Sequence, residues 1–434
     1  PWFAWEWGAD VVFAWVYGWS GLEGVALFGA LVLCLAAAVL FAWLLRRGAG
    51  LWVAAAVSLA AASASSVHYL ARPHIFTLLL FPAALWMLDE DRRRPDARVW
   101  WLAPLSAVWT NLHGGFVAWL ATLALLVLVC GVKRDSPGLR RYGWLAACCA
   151  AATLVNPYGW KLHRHILDYL GSSWILNHVS EFQSPSIRSE NMLVFAALLL
   201  AGAALASRRF ARGEWFEAAL VWMWGFAALR SARHVPLYAV AAAPVVASEC
   251  AQWWREQAQR ARARSPARVL WELARDLAGS RTVTPWAAVL GALVLWGARG
   301  GDAVGFPPSH FPVMAVAQNL ERLAPPAGMP RVLTSDQWGD YLIFRFYPRA
   351  RVFFDGRSDF YGPGAGADYQ ELLAAGPKWR EAVERYGFET ALLPLDWPLG
   401  AVLEREPGWD VVYRDRVAVV LVRNGLKKSG AAAD

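Results

Sequence analysis

Long apolar runs, separated by short polar turns, fill the first 300 positions of the chain. A membrane-crossing helix needs roughly 17–25 such residues, and about ten runs approach or reach that length. They cover residues 22–45, 51–70, 74–88, 99–112, 115–132, 143–156, 191–207, 214–230, 234–250 and 282–299. The runs at 74–88 and 99–112 are short, so we expect tilted, broken or partly re-entrant helices there. The pattern predicts an α-helical polytopic membrane protein with about ten visible transmembrane helices.

The pattern changes after Gly301, where short apolar stretches alternate with amphipathic ones. This alternation predicts helices at 313–323, 335–346, 368–375, 377–386 and 398–405, and strands at 331–334, 351–354, 390–394, 410–413 and 417–422. Strands interleaved with helices indicate an α/β domain. We therefore expect two domains, a transmembrane domain over 1–300 and a soluble α/β domain over 301–434.

Lys and Arg residues are distributed unevenly between the turns that join the apolar runs. One alternate set of turns holds 20 of them and the other set holds 7. The positive-inside rule places the richer set in the cytoplasm, so the C-terminal domain lies outside it. The basic excess falls in the apolar part of the chain, which favours cytoplasmic loops over a nucleic-acid surface. We expect a multi-pass protein of a bacterial inner membrane with no nucleic-acid partner.

The amino-acid composition indicates that membrane lipids are partners of this protein. Hydrophobic residues make up 57% of the chain and 27 residues are Trp, a side chain that prefers the membrane interface. The segment Gln252–Arg281 is basic and partly amphipathic, and we expect it to lie as a helix on the cytoplasmic face. The chain begins at Pro1 within an aromatic stretch, so we expect that an upstream helix and part of a loop are missing.

The unusual polar motifs all fall on the predicted outer side, as do all eight histidines. Basic residues at the outer ends of helices would suit a lipid phosphate, although helix-end anchoring and snorkelling give the same pattern. Two glycines beside an amide and an imidazole would let a ligand approach the backbone, or would simply break a helix. The candidate substrate-binding residues are Arg72, His74, Asn111, Arg230, Arg233 and His234, with His113 as a candidate catalytic residue.

Acidic residues on the outer side are the candidates for proton abstraction or for holding a divalent metal. Glu6 and Asp10 are spaced so that both would face the same side of a helix. In the soluble domain, a predicted strand ends at Asp355, and the loop continues through Arg357, Asp359 and Tyr361. Such a loop is a usual ligand position in α/β sheets, but an Asp–Arg pair that only fixes a turn is an equally good interpretation.

The Glu6-Trp7 stretch, Arg72-Pro73-His74, the residues from Trp109 to Phe116, Asn156-Pro157-Tyr158-Gly159 and Asp355-Gly356-Arg357 together resemble a group of bacterial membrane proteins. The group looks like the GT-C superfamily of glycosyltransferases, which includes dolichyl-phosphate-mannose-type mannosyltransferases and aminoarabinose transferases. The resemblance implies transfer of a sugar from a polyprenyl-phosphate donor, on the outer face, to a lipid, glycan or protein acceptor. It places catalytic or metal-binding acids in the first external loop, and Glu6 and Asp10 would fall at the end of that loop.

Two other classes of function stay open at this point. A transporter or flippase of a lipid-linked intermediate would need polar groups through the bilayer midplane. The polar motifs lie mainly at one face, which favours the enzyme. A non-catalytic cell-envelope assembly protein would instead use the external domain to bind a partner.

Overall fold

A computed structural model describes residues 3–262, 264–277, 286–298, 304–319, 331–348 and 352–424. Within these ranges the chain is mostly helical and carries one small sheet near its C-terminal end. It divides into two compact units. The helical unit comprises Ala4–Asp168 and Ser180–Val304, and the sheet unit comprises Pro1–Phe3, Tyr169–Val179 and Gly305–Asp434.

Helices are found at each of the apolar runs. In chain order up to residue 298, the helices are α1 (Trp7–Arg46), α2 (Leu51–Ser65), α3 (His74–Arg93), α4 (Leu102–Leu112), α5 (Phe116–Val132), α6 (Ser136–Ala152), α7 (Trp160–Gly171), α8 (Ser173–His178), α9 (Glu190–Ala211), α10 (Trp215–Arg230), α11 (Val235–Arg260), α12 (Pro266–Asp276) and α13 (Trp286–Ala298). Of these, α8 belongs to the sheet unit. Short 3₁₀ turns lie at Ser66–His68, Ala97–Trp101, Ser180–Phe182 and Ala232–His234. The apolar helix predicted to end near 250 continues instead to Arg260.

Four helical stretches of the described chain are long and apolar enough to cross a membrane: Trp7–Arg46, Leu51–His68, Glu190–Ala211 and Ala232–Arg260. Phe116–Val132 and Trp286–Ala298 are apolar but shorter. The structure thus has several membrane-length helices, whereas the predicted ten crossings are not established by helix length and hydropathy.

The long α1 is interrupted at Gly21, whose φ of 61° is accessible to glycine at little cost.

Small side chains let the helices pack closely. A Cβ on Gly29 of α1 would lie 3.1 Å from the Cβ of Ala71, and one on Gly291 of α13 would lie 3.4 Å from the Cys34 sulfur. Ala54, Ala61 and other alanines of α2 are buried. Close backbone approach of this kind is how helices associate where burial of apolar surface from water does not drive packing.

The sheet unit contains α14 (Val313–Gln318), α15 (Asp336–Phe346), α16 (Ser358–Leu373), α17 (Trp379–Tyr386) and α18 (Pro398–Leu403). Its strands are β1 (Val332–Thr334), β2 (Thr390–Pro394), β3 (Trp409–Arg414) and β4 (Ala418–Arg423), in the order β1-β2-β4-β3. The β1–β2 pair is parallel, and β4 is antiparallel to both β2 and β3. Ser335 caps α15 by accepting a hydrogen bond from the Trp338 backbone N–H, as predicted. These elements confirm an α/β arrangement in this part of the chain.

Three features of the sheet unit differ from the sequence prediction. The helix predicted at 368–375 begins ten residues earlier, since α16 spans Ser358–Leu373. The strand predicted at 351–354 is reduced to a single bridge between Val352 and Val332, and residue 351 lies outside the described residues. The predicted helix 313–323 is described only as far as Gln318 in α14. The unit also includes the Tyr169–Val179 segment, where the Trp174 ring packs edge-on against Phe354 at 6.1 Å. A Cβ at Gly366 would lie 2.2 Å from this indole, so only glycine leaves room for it.

Candidate functional site

The candidate site lies where one set of helix ends meets in the helical unit. Glu6 immediately precedes α1, His74 is the first residue of α3, and His113 lies in the turn between α4 and α5. The turn between α10 and α11 carries Arg233, and the 3₁₀ turn Ser180–Phe182 carries Glu181. The contacts described below connect these turns, although they are far apart along the chain.

His113 is held in one orientation by hydrogen bonds to its Nδ1 atom. The Gly115 backbone N–H donates to Nδ1 at 3.0 Å, and Thr77 Oγ1 lies 2.7 Å from it. Trp109 Nε1–H in turn donates to Thr77 Oγ1 at 2.8 Å, so the Thr77 hydroxyl is free to donate to Nδ1. A nitrogen that accepts from a backbone N–H carries no proton in the neutral ring, so Nε2 carries it. That Nε2 lies 3.6 Å from Glu6 Oε1.

The two glycines after His113 are required by close packing. A Cβ on Gly115 would lie 2.2 Å from Thr77 Oγ1, and one on Gly114 would lie 2.4 Å from a Trp5 ring carbon. The Gly114 backbone N–H also approaches Glu6 Oε1, at 3.4 Å. The glycines therefore let the backbone pass beside the Glu6–His113 pair.

Two arginines converge on one carboxylate. Arg72 Nη1 lies 3.3 Å from Glu181 Oε1, and Arg233 Nη2 lies 3.6 Å from Glu181 Oε2. The Glu181 turn is fixed by its backbone, because Ser231 Oγ donates to the Glu181 carbonyl at 2.9 Å. The Arg233 guanidinium also lies over the Phe182 ring, 4.2 Å from its centroid. Arg72 and Arg233 thus form a pair of cations whose shared position is taken by a carboxylate of the same chain.

A row of imidazoles lies between these two pairs. The ring centroids of His74 and His113 are 6.4 Å apart, and those of His68 and His74 are 5.5 Å apart. His74 Nε2 lies 2.6 Å from the His68 carbonyl oxygen and donates to it. Sequence reasoning included His74 among the candidates but missed Glu181, the one acidic residue in the loop between α8 and α9, because no motif in its neighbourhood marks it.

The remaining predicted residues of the helical unit have other surroundings. Asn111 links three segments, since its Oδ1 accepts from Trp7 Nε1 at 2.8 Å and its Nδ2 donates to the Ala107 and Val155 carbonyls. His234 Nδ1 lies 3.2 Å from the Ala227 carbonyl. Arg230 is exposed at the last residue of α10, and Asp10 is exposed in the first turn of α1.

In the sheet unit, Asp355 is buried and its carboxylate is saturated by its own loop. Oδ1 accepts from the backbone N–H and from Nε of Arg357, each at 2.9 Å. Oδ2 accepts from Arg357 Nη2 and from the Tyr361 hydroxyl, the latter at 2.8 Å. Burial alone would raise the pKa of this carboxyl, but these hydrogen bonds outweigh it and hold the pKa below its usual value. Asp359 follows at the start of α16. The hydrogen bonds of the Asp355 carboxylate described above thus all stay within one loop, from Asp355 to Tyr361.

A second ionic cluster lies at the other helix ends, and sequence reasoning treated its arginines only as topology markers. Glu249 Oε1 accepts from Arg212 Nη1 at 2.7 Å and lies 3.1 Å from Arg209 Nε. Glu217 contacts Arg47 at 3.2 Å, and Arg47 also reaches Asp89 at 3.2 Å. These side chains are largely buried. Residues predicted as solvated turns thus hold together the ends of α1, α3, α9, α10 and α11.

Within the part of the chain that the structure describes, no three His, Cys, Asp or Glu side chains converge to hold a metal ion. The Glu6–His113 pair supplies only two such groups, so we derive no step through a metal. Neither a scan of protein-family models nor a search of curated proteins finds a match for this chain.

Proposed function

We propose that the protein transfers a sugar from a polyprenyl-phosphate donor to a lipid, glycan or protein acceptor at the outer face of a bacterial inner membrane. The observation that carries the proposal is the Glu6–His113 pair, whose carboxylate faces an oriented N–H within one cluster of helix ends. Arg72 and Arg233 lie in the turns that meet the same cluster and offer cations for a phosphate.

The chemistry would be a single inverting displacement. Glu6 accepts the proton of the acceptor hydroxyl as its oxygen bonds to the anomeric carbon. The bond from that carbon to the phosphate oxygen breaks, and the polyprenyl phosphate leaves with the electron pair. His113 is a positioning residue, because its Nε2–H faces the Glu6 carboxylate at 3.6 Å. Arg72 and Arg233 neutralise the leaving phosphate, which requires Glu181 to yield its place between them.

The finer topology belongs to the same proposal. We place about ten helices in the membrane, the sheet unit outside the cytoplasm, and the Arg47–Asp89 end of the helical unit on the cytoplasmic side. The excess of Lys and Arg in the turns at that end supports this orientation. The Asp355 loop then serves to shape a domain that presents the acceptor.

The test compares lipid-linked sugars and envelope glycans by mass spectrometry in cells that carry the native chain, Glu6→Gln or Asp168→Asn. Asp168 is the matched control, since its side chain is 75% exposed and pairs only weakly with Arg164 at 3.9 Å. We expect Glu6→Gln to accumulate the lipid-linked sugar and lose the product, as in cells without the protein. A product level in Glu6→Gln equal to that of the native chain would overturn the proposal.

A further inference from the structure

Helix α12 presents a partly exposed apolar stripe. Val269, Leu270 and Leu273 recur on one side of the helix and are 40–49% exposed. Ser265 caps the helix by accepting from the Arg268 N–H, and Pro266 occupies the first turn, so the helix start is well defined. A stripe of this size on a short, stable helix requires a partner or an apolar medium.

Two indoles attach α12 to the ends of membrane-length helices. Trp52 Nε1 donates to the Leu270 carbonyl at 3.0 Å, and Trp254 Nε1 donates to the Ala267 carbonyl at 3.0 Å. Trp52 is the second residue of the apolar stretch Leu51–His68, and Trp254 lies near the end of Ala232–Arg260. Because both stretches are long enough to cross a membrane, the helix that they hold lies where the membrane ends.

The surroundings of α12 match an interface rather than bulk water. A cleft of about 60 Å³ between α2, α11 and α12 is lined by three indoles, Trp52, Trp254 and Trp271, together with Arg255. The Arg275 guanidinium lies over the Trp271 ring, 5.0 Å from its centroid. Indole rings and arginine side chains are the groups that proteins place at the level of lipid headgroups.

The charged residues of α12 and of the segment before it indicate what kind of surface this part of the protein would bind. From 252 to 277 the described basic residues are Arg255, Arg260, Arg262, Arg264, Arg268 and Arg275, and the acidic residues are Glu256, Glu272 and Asp276. Arg268 is paired with Glu272 at 2.9 Å, whereas Arg262 and Arg264 are exposed in the turn before the helix. The excess is positive, which favours an anionic surface over a neutral one.

We propose that α12 and its preceding turn bind the phosphate-bearing surface of an anionic membrane leaflet. The side chains of Val269, Leu270 and Leu273 insert among the acyl chains, and the arginines contact lipid phosphates. A lipid surface fits better than a protein partner for two reasons. Hydrogen bonds join α12 to two helices of membrane length, and indole and arginine side chains border the apolar stripe. This inference is independent of the proposed sugar transfer.

The test uses the full chain in nanodiscs of phosphatidylcholine alone or of equal parts phosphatidylcholine and phosphatidylglycerol. Amide hydrogen exchange of a peptide spanning 266–277 reports whether α12 is bound. Each arginine near an anionic leaflet strengthens binding about fivefold, so Arg262→Gln with Arg264→Gln should cut the phosphatidylglycerol-dependent slowing by about 25-fold. Both side chains are exposed, so the double variant should fold.

A second variant tests the apolar stripe. Leu273→Asp should abolish the slowing in phosphatidylglycerol, whereas Leu395→Asp, at a site of similar exposure (41%) in the sheet unit, should leave it intact. Equal exchange in both lipids, or unchanged slowing in the double arginine variant, would overturn the proposal. Slowing that depends on the number of copies per nanodisc rather than on the lipid would indicate a second copy of the chain instead.

Discussion

Replacing Thr77 by Val removes the hydroxyl that joins Trp109 to His113. The native hydroxyl accepts from the Trp109 indole at 2.8 Å and reaches His113 Nδ1 at 2.7 Å, and both Trp109 and Thr77 are buried. Each lost hydrogen bond costs about 0.5–1.5 kcal/mol, and a buried indole N–H left without a partner costs about 1–3 kcal/mol. Since these costs overlap, we expect the helical unit to lose about 2–3 kcal/mol.

Thr122→Val is the matched control. Thr122 is equally buried, but its hydroxyl bonds only the Ala118 carbonyl of its own helix, at 2.9 Å. Its loss should cost less than about 1 kcal/mol because no other side chain loses a partner. The assay is the midpoint of heat unfolding of the full chain in detergent, with sugar transfer measured in parallel.

We expect Thr77→Val to lower the midpoint well below that of Thr122→Val and also to reduce transfer, because Trp109 loses its acceptor and the His113 ring loses one of the two contacts that fix it beside Glu6. Equal midpoints for the two variants would refute the hydrogen-bond chain. A lower midpoint with full transfer at permissive temperature would keep the chain as a structural feature and remove His113 from the positioning of Glu6.

Four further outcomes are expected. Glu181→Gln should tighten binding of a soluble phosphate competitor by reducing the charge between the two arginines, and unchanged binding would separate them from the phosphate site. Glu249→Gln should destabilise the helical unit by about 3 kcal/mol in heat unfolding, against about 0–1 kcal/mol for the exposed Asp168→Asn. Gly115→Ala should reduce both folding yield and transfer, since its Cβ would overlap Thr77 Oγ1, whereas Gly131→Ala meets open space and should not. Asp355 has a lowered pKa in the folded protein, so its contribution is present at neutral pH and disappears as the pH falls below about 4 and through the folded value; calorimetry should therefore show the gap between native and Asp355→Asn closing in acid.

Local patterns predicted the elements of the sheet unit well. Ser335 precedes α15, and the two apolar stretches after residue 408 form the β3–β4 hairpin, because caps and alternation depend on neighbours in the chain. The extent predicted for the strand at 351–354 was wrong, because strand pairing depends on the neighbouring chain segment, and among the described residues of this stretch only Val352 pairs with β1.

The candidate site was predictable only in part. His113 and its glycines could be singled out because three unusual residues are adjacent in sequence. Glu181 could not, because its importance arises from arginines more than 50 positions away on either side. The ion pairs of Glu249 could not be predicted for the same reason. An arginine-rich turn has the same sequence whether its charges are solvated by water or paired with a carboxylate from elsewhere in the chain.

The Trp174 segment makes the sheet unit discontinuous in the chain. Residues 169–179 are made well before β1, yet Gly366 and Phe354 pack against their indole. A fragment that begins at residue 305 would therefore lack one wall of its own core, and adding the Tyr169–Val179 peptide in trans should restore it. During synthesis, this short segment precedes its packing partners by more than a hundred residues, so the Trp174 indole is made long before Phe354 and Gly366 can pack against it.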